Sequence, residues 1–168
     1  MDDWELMENV EYVLKTFHNA GWLVVIFTNQ SGLKTSKKLT IEDFKDKLNN
    51  ISNSLNINIK FLASLDKDYF RKPMLGMWEI LETKFPYIKD TNKFYCGDAF
   101  NPNDKLKASD LRFAWHANIP FIYPSKIFIT NFNIQNLDVI RDKSHKDFLE
   151  VVLKLKPTVR SFILKNYY

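Results

Sequence analysis

Three short stretches of this sequence hold, in order, the side chains that phosphoryl chemistry requires: Thr28-Asn29-Gln30, Arg71-Lys72 and Gly97-Asp98. A phosphoryl group has oxygens that need donors, builds charge that needs a cation, and is commonly handled with Mg²⁺ held on carboxylates. Thr28 offers a hydroxyl, and the backbone amides of Asn29 and Gln30 are expected to point at the same oxygen. Lys72 offers an ammonium, and Pro73 turns the chain away behind it. Asp98 follows a glycine, placed as a metal ligand would be. Each stretch has an ordinary reading too, as a polar loop, a solvated helix start and a turn. Their occurrence together, each at or near the end of an apolar run, is more specific than any one alone.

The elements that must position these groups alternate. Residues 7–20 carry Val10, Val13, Leu14 and Phe17 at helical spacing, with Gly21 where a helix stops. Residues 22–27 form a continuous apolar run rich in β-branched side chains, the pattern of a strand covered on both faces of a parallel sheet. Thr40 caps a predicted helix beginning at Ile41, with Asp43 in its first turn. Further strands are predicted over 58–65, 94–96 and 120–124, and helices over 73–85 and 110–117. This order predicts an α/β fold, a three-layer α/β/α sandwich on a mostly parallel sheet. Ligands in such sheets gather outside the carboxyl ends of the strands, where all three stretches would lie.

Composition narrows the class. At 168 residues, 45% of them hydrophobic, the chain has the apolar content for one good core. The net charge of +4, from 24 basic and 20 acidic residues spread along the chain, permits an anionic partner without pointing to one. No helix stands out with the basic face of a sequence-reading DNA binder. The single cysteine, Cys96, can form no internal disulfide, and His18, His116 and His145 lack metal-ligand spacing. The acidic opening Asp2-Asp3 does not resemble a secretion signal, and no apolar stretch approaches a membrane span. An intracellular setting is expected: nucleus, cytoplasm or a viral factory.

The segments Val25-Ile26-Phe27-Thr28-Asn29-Gln30-Ser31-Gly32, Tyr69-Phe70-Arg71-Lys72-Pro73-Met74-Leu75-Gly76-Met77-Trp78 and Cys96-Gly97-Asp98-Ala99 closely resemble the DNA 3′-phosphatase domain of the polynucleotide kinase/phosphatase family, within the haloacid-dehalogenase superfamily. The likeness runs from about residue 3 to residue 128, and Ser109-Asp110-Leu111-Arg112-Phe113-Ala114 continues it. It implies a Mg²⁺-dependent hydrolase acting on DNA with 3′-phosphate ends. Thr28 would then hold phosphoryl oxygens, Lys72 would bridge phosphate and nucleophile, and Asp98 would bind Mg²⁺. Asn29, Gln30 and Arg71 would complete the phosphate pocket, with Asp110 in support.

That family attacks phosphorus with the first aspartate of an Asp-x-Asp-Gly-Thr motif on a preceding strand, the second serving as acid and base. The sequence holds no such motif, and Asp3-Trp4 matches the family's residues just before the helix that follows that strand. The chain is therefore expected to start after the nucleophile and to be inactive alone, or to act as a pseudoenzyme that binds nucleic-acid ends or a protein. Other departures are Phe100-Asn101-Pro102 in place of Gly-Arg, Lys105-Leu106-Lys107 in place of Asp-Phe-Ser, His116 for Asn, and Asn118 for Gly; Asn tolerates a left-handed backbone best.

The expected phosphatase-like domain covers 1–130, and 131–168 is a C-terminal extension, its edge in the polar stretch 131–144. Within it, 148–155 resembles the opening strand of the family's kinase domain, or else the tail is a plain C-terminal strand and helix. Lys156-Pro157-Thr158-Val159-Arg160-Ser161 stands where a glycine-rich phosphate loop would be, and Pro157 lacks the amide such a loop needs. A sheet without its central strand leaves unpaired edges, to be filled by 148–155, by a homo-oligomer or by a protein partner.

Overall fold

The structure, a computed structural model, describes residues 4–101, 103, 104 and 107–155. Helix α1 (Val10–Asn19) buries Val13 and Phe17, four residues apart on one side, and ends into Gly21 at φ 82°. Strand β1 (Val24–Asn29) begins two residues later than its apolar run. Trp22 is used in closing the helix, its amide returning to the Phe17 carbonyl at 3.0 Å while its ring meets that of Phe17. Helix α2 (Ile41–Leu55) starts where expected on a reciprocal cap: Thr40 Oγ1 accepts from the Asp43 amide at 3.1 Å, and the Asp43 carboxylate accepts from the Thr40 amide at 2.8 Å. Strand β2 (Ile59–Ser64) pairs in parallel with β1, from Val24 opposite Ile59 to Asn29 opposite Ser64.

Helices α3 (Gly76–Lys84), α4 (Ser109–His116), α5 (Pro124–Ile127) and α6 (Leu137–Leu153) complete the regular elements used here. Alternation along β1 divides its side chains between two faces. Phe27 and Val25 join a core with Trp78, Leu111, Phe113 and Phe148, contributed by α3, α4 and α6. Val24 and Ile26 face the opposite side, toward α1 and α2. Helices thus cover both faces of the strands, and the expected α/β layering is present. Asn118 takes φ 54°, as its replacement of a glycine anticipated.

Four expectations are corrected. The strands over 94–96 and 120–124 shrink to one parallel bridge, Tyr95 to Phe121, in which the Tyr95 amide donates to the Pro120 carbonyl and its carbonyl accepts from Ile122, both at 2.8 Å. Pro120 and Pro124 bracket that segment, and without amides they stop a longer ladder. Helix α3 starts at Gly76 because residues 69–75 are occupied by turns, Met74 bonding back to Arg71 and Gly76 to Tyr69. Residues 148–153 are helical, not extended. Phe148 and Val152 lie four apart and are 3% and 0% exposed, so the helical period prevails over the local Val151-Val152-Leu153 run. Residues 148–155 therefore do not join the sheet. The expectations for Asp2, Asp3, Pro102, Lys105, Leu106 and 156–161 lie outside the described residues.

Phe113 is fully buried, with its ring centroid 5.1 Å from those of both Phe27 and Tyr95. Phe113→Ala is expected to destabilise the fold by about 3–5 kcal/mol, read from the shift in a urea unfolding midpoint.

Candidate functional site

The site is assembled by one clamp and one ion pair. Asn29, the last residue of β1, uses its side chain as a substitute strand partner: Oδ1 accepts from the Lys72 amide at 2.9 Å, and Nδ2 donates to the Lys72 carbonyl at 3.2 Å. That fixes the 69–75 turn against the carboxyl end of β1. Gly76 lets the turn close, since a Cβ there would sit 2.8 Å from the Tyr69 carbonyl oxygen and 2.7 Å from the Phe70 ring.

Lys72 then reaches inward. Its ammonium donates to the Phe27 carbonyl at 2.8 Å, the Tyr95 hydroxyl at 3.1 Å and Asp110 Oδ1 at 2.6 Å. The Lys72 and Asp110 side chains are only 10% and 5% exposed. Asp110, in the first turn of α4, is itself surrounded by donors: Oδ1 also accepts from Tyr95, and Oδ2 accepts from the Ala99 amide, both at 3.0 Å. Gly97 is required by this closeness, because a Cβ there would meet Asp110 at 2.5 Å. The Tyr95 hydroxyl is pushed far up by burial, and further by the Asp110 charge, so it stays protonated and donates. The same two causes push the Cys96 thiol up to about 12.

Outside this network, Gln30 Nε2 donates to Thr28 Oγ1 at 2.8 Å, leaving the Thr28 proton free to donate. Arg71 donates to Ser31 Oγ at 3.0 Å through one guanidinium nitrogen. One expectation fails: the Gln30 amide is not free for a ligand oxygen, because it extends the ladder to the Ser64 carbonyl at 2.7 Å. Asn29 likewise spends its side chain on Lys72. Asn29, Lys72 and Asp110 are brought together, Thr28 precedes Asn29 at the end of β1, and Asp98 stands exposed on the wall of a cavity that Lys72 and Asp110 also line. Sequence reasoning missed Tyr95 and Ser31. Tyr95 sits in an apolar run that gives no sign of where its hydroxyl points.

The donor set was tested against Mg²⁺. Magnesium takes an octahedron of oxygens, usually with one or two carboxylates and substrate phosphate among them. Asp110 has both oxygens committed and is paired with a cation, which leaves Asp98 alone. No group of three or more His, Cys, Asp or Glu among the described residues is arranged to hold a metal ion. The described residues do not fit a magnesium centre on their own.

Comparisons with known proteins give the family and the fold. The model of the family described as polynucleotide kinase 3 phosphatase matches residues 1–128. An uncharacterized 20.8 kDa protein of Autographa californica nuclear polyhedrosis virus is 33% identical over 133 residues, 72% of each chain. The bifunctional polynucleotide phosphatase/kinase of Schizosaccharomyces pombe is 32% identical over 123 residues, 69% of this chain and 28% of that one. The chain thus spans less than a third of that relative's length. The crystal structure of D,D-heptose 1,7-bisphosphate phosphatase from B. bronchiseptica, complexed with magnesium and phosphate, superposes with a TM-score of 0.58 at 19% identity, covering 73% of this chain and 67% of that one. That likeness shows a shared α/β fold.

Asp110→Ala leaves the Lys72 ammonium buried and unpaired, and is expected to cost about 3–5 kcal/mol in urea unfolding, whereas replacing both partners by apolar residues recovers most of it. Cys96 gives a second check. Its thiolate fraction at pH 9 is on the order of one in a thousand, so iodoacetamide labels it slowly until urea unfolds the chain. The unfolded thiol loses its proton from about pH 8.5 while the folded one keeps it toward about 12, so this contribution to stability is complete below pH 8.5 and falls as pH rises through that window.

Proposed function

Because the chain belongs to the polynucleotide kinase 3 phosphatase family, we propose that it recognises the 3′-phosphate of a DNA end through Lys72, Arg71 and Thr28, and that it does not hydrolyse that phosphate by itself. The observation that carries this is the position of Lys72. A single ammonium is held from β1, the 95–98 segment and α4 at the carboxyl edge of the strands, where ligands of such sheets collect.

The chemistry follows from donor and acceptor counts. Lys72 has three protons and currently gives one to each of three acceptors. A phosphate competes best for the proton on the Phe27 carbonyl, which is neutral, while Asp110 keeps the Lys72 side chain aimed. Thr28 has a free hydroxyl proton for a second phosphoryl oxygen. Arg71 engages only a neutral hydroxyl and retains further N–H groups for a bidentate contact. Asp98 would be the carboxylate contribution to any magnesium brought with the substrate. In-line attack needs a carboxylate with a free lone pair facing the phosphorus. Asp110 is buried, paired with the Lys72 ammonium and accepts from Tyr95 and the Ala99 amide as well, and the sequence carries no Asp-x-Asp-Gly-Thr to supply another carboxylate.

The test uses fluorescent oligonucleotides ending in 3′-phosphate or 3′-hydroxyl, titrated with the full chain at low salt. A preference for the phosphorylated end of about tenfold is expected, equivalent to about 1.4 kcal/mol. It should disappear in Lys72→Ala and shrink in Thr28→Ala, which leaves the buried pair intact, and binding should weaken with added salt. Inorganic phosphate release in Mg²⁺ should match the Lys72→Ala background. Equal affinity for the two ends, or release above that background, would overturn the reading.

A further inference from the structure

The turn that carries Arg71 and Lys72 exposes more apolar surface than a connecting turn needs. Tyr69, Phe70 and Met74, three large side chains within a few residues, are 46%, 42% and 44% exposed. Such side chains are normally scattered singly over a surface, and a cluster of them marks a contact site. The turn is also held firmly. The Asn29 side chain grips the Lys72 backbone from β1, the Met74 amide returns to the Arg71 carbonyl at 2.9 Å, and His116 of α4 reaches the Pro73 carbonyl through Nδ1 at 2.8 Å. A carbonyl only accepts, so that His116 nitrogen carries the proton. The Phe70 amide donates to the Asp68 carboxylate at 2.9 Å, and the Tyr69 hydroxyl donates to Glu79 of α3 at 2.6 Å.

The rings themselves are arranged for a further partner. They meet at 68° with centroids 6.2 Å apart, so neither lies flat on the other and neither spends a face on its neighbour. Phe70 is seated by its Cδ1 against Gly76, where a Cβ would come to 2.7 Å. We propose that Phe70, braced by Tyr69, is a stacking platform for the base of the nucleotide that carries the 3′-phosphate. The inference rests on the 3′-phosphate reading of Lys72, Arg71 and Thr28, and it extends the site beyond the phosphorus.

The ligand class follows from what the turn places side by side. Phe70 precedes Lys72 by two residues, which keeps their Cα atoms within about 7 Å, and Arg71 lies between them. A ring and two cations at that spacing complement a molecule with a flat apolar face and an anion on one small frame. A nucleotide end is such a molecule, its base and phosphate hanging from the same sugar. Inorganic phosphate has no face to stack, and an apolar peptide leaves the cations without a partner. Arg71 gives Ser31 one guanidinium nitrogen and keeps others for the phosphate. Every base has a π-face, so the platform accepts all of them and reads no sequence. Stacking and the phosphate grip use different atoms, because neither Tyr69 nor Phe70 lines the cavity shared by Lys72, Asp98 and Asp110.

The test titrates the full chain with four fluorescent oligonucleotides that differ only at the last nucleotide, which keeps its base or is abasic and ends in 3′-phosphate or 3′-hydroxyl. Loss of the base is expected to weaken binding of the phosphate-terminated strand at least about fivefold. That discrimination should vanish in Phe70→Leu, which keeps an apolar cover over Gly76 without an aromatic face, and should persist in Phe70→Trp. Equal affinity of the unaltered chain for base-bearing and abasic 3′-phosphate ends overturns the proposal without recourse to any variant, and leaves the exposed cluster to a protein partner. Full discrimination in Phe70→Leu overturns it too, since the base is then held elsewhere. Loss in both Leu and Trp variants does the same, because it reports a disturbed turn instead of a lost stack. Failure of the phosphate reading looks different: the phosphate and hydroxyl ends then bind alike. Failure of the platform alone leaves the phosphate preference of about tenfold standing on the abasic strands.

Discussion

The ion pair between Lys72 and Asp110 is the constraint on which the rest of this architecture turns. Both side chains are almost wholly shielded, and an ammonium or a carboxylate in such a place is tolerated only with a partner and a full set of hydrogen bonds. Each is supplied. The carboxylate takes Lys72, Tyr95 and the Ala99 amide, and the ammonium takes Asp110, Tyr95 and the Phe27 carbonyl. Four segments distant in sequence are thereby registered at one point: the end of β1, the 69–75 turn, the 95–99 strand and turn, and the start of α4. Gly97 exists at that position because no other residue leaves room for the carboxylate.

This pairing also sets the electrostatic character of the pocket. A lysine fully matched by one aspartate contributes no net charge, so attraction for an anion comes from Arg71 and from redistribution of lysine protons on binding. The same commitment keeps Asp110 from acting as metal ligand or nucleophile. On the proposed reading, such a site selects phosphate by geometry and by donors, and chemistry on the phosphorus requires a carboxylate from elsewhere.

Much of the local structure was legible in the sequence because its causes are local. The α2 start is determined by Thr40 and Asp43, three residues apart, and the α1 end by a glycine that accepts a positive φ. That Asn29, Lys72 and Asp110 meet was not legible from any one of them, but two of the three stand after an apolar run or beside a proline, and strand ends are where polar groups gather. The 148–155 segment misled because its apolar residues satisfy both a short run and a helical face. What decided it was the burial of Phe148 and Val152 against a core built from other parts of the chain, information that a six-residue window does not contain.

By itself the sequence determined residue types, helix caps, the βα alternation and the absence of an Asp-x-Asp-Gly-Thr among its 168 residues. Only the tertiary structure decided which polar groups are already spent. The Gln30 amide goes to Ser64, the Asn29 side chain to the Lys72 backbone, and both Asp110 oxygens to donors from two segments. Hydrogen-bond capacity is finite and is shared among residues far apart in the chain, so what a side chain has left to offer a ligand is known only once its neighbours in space are known.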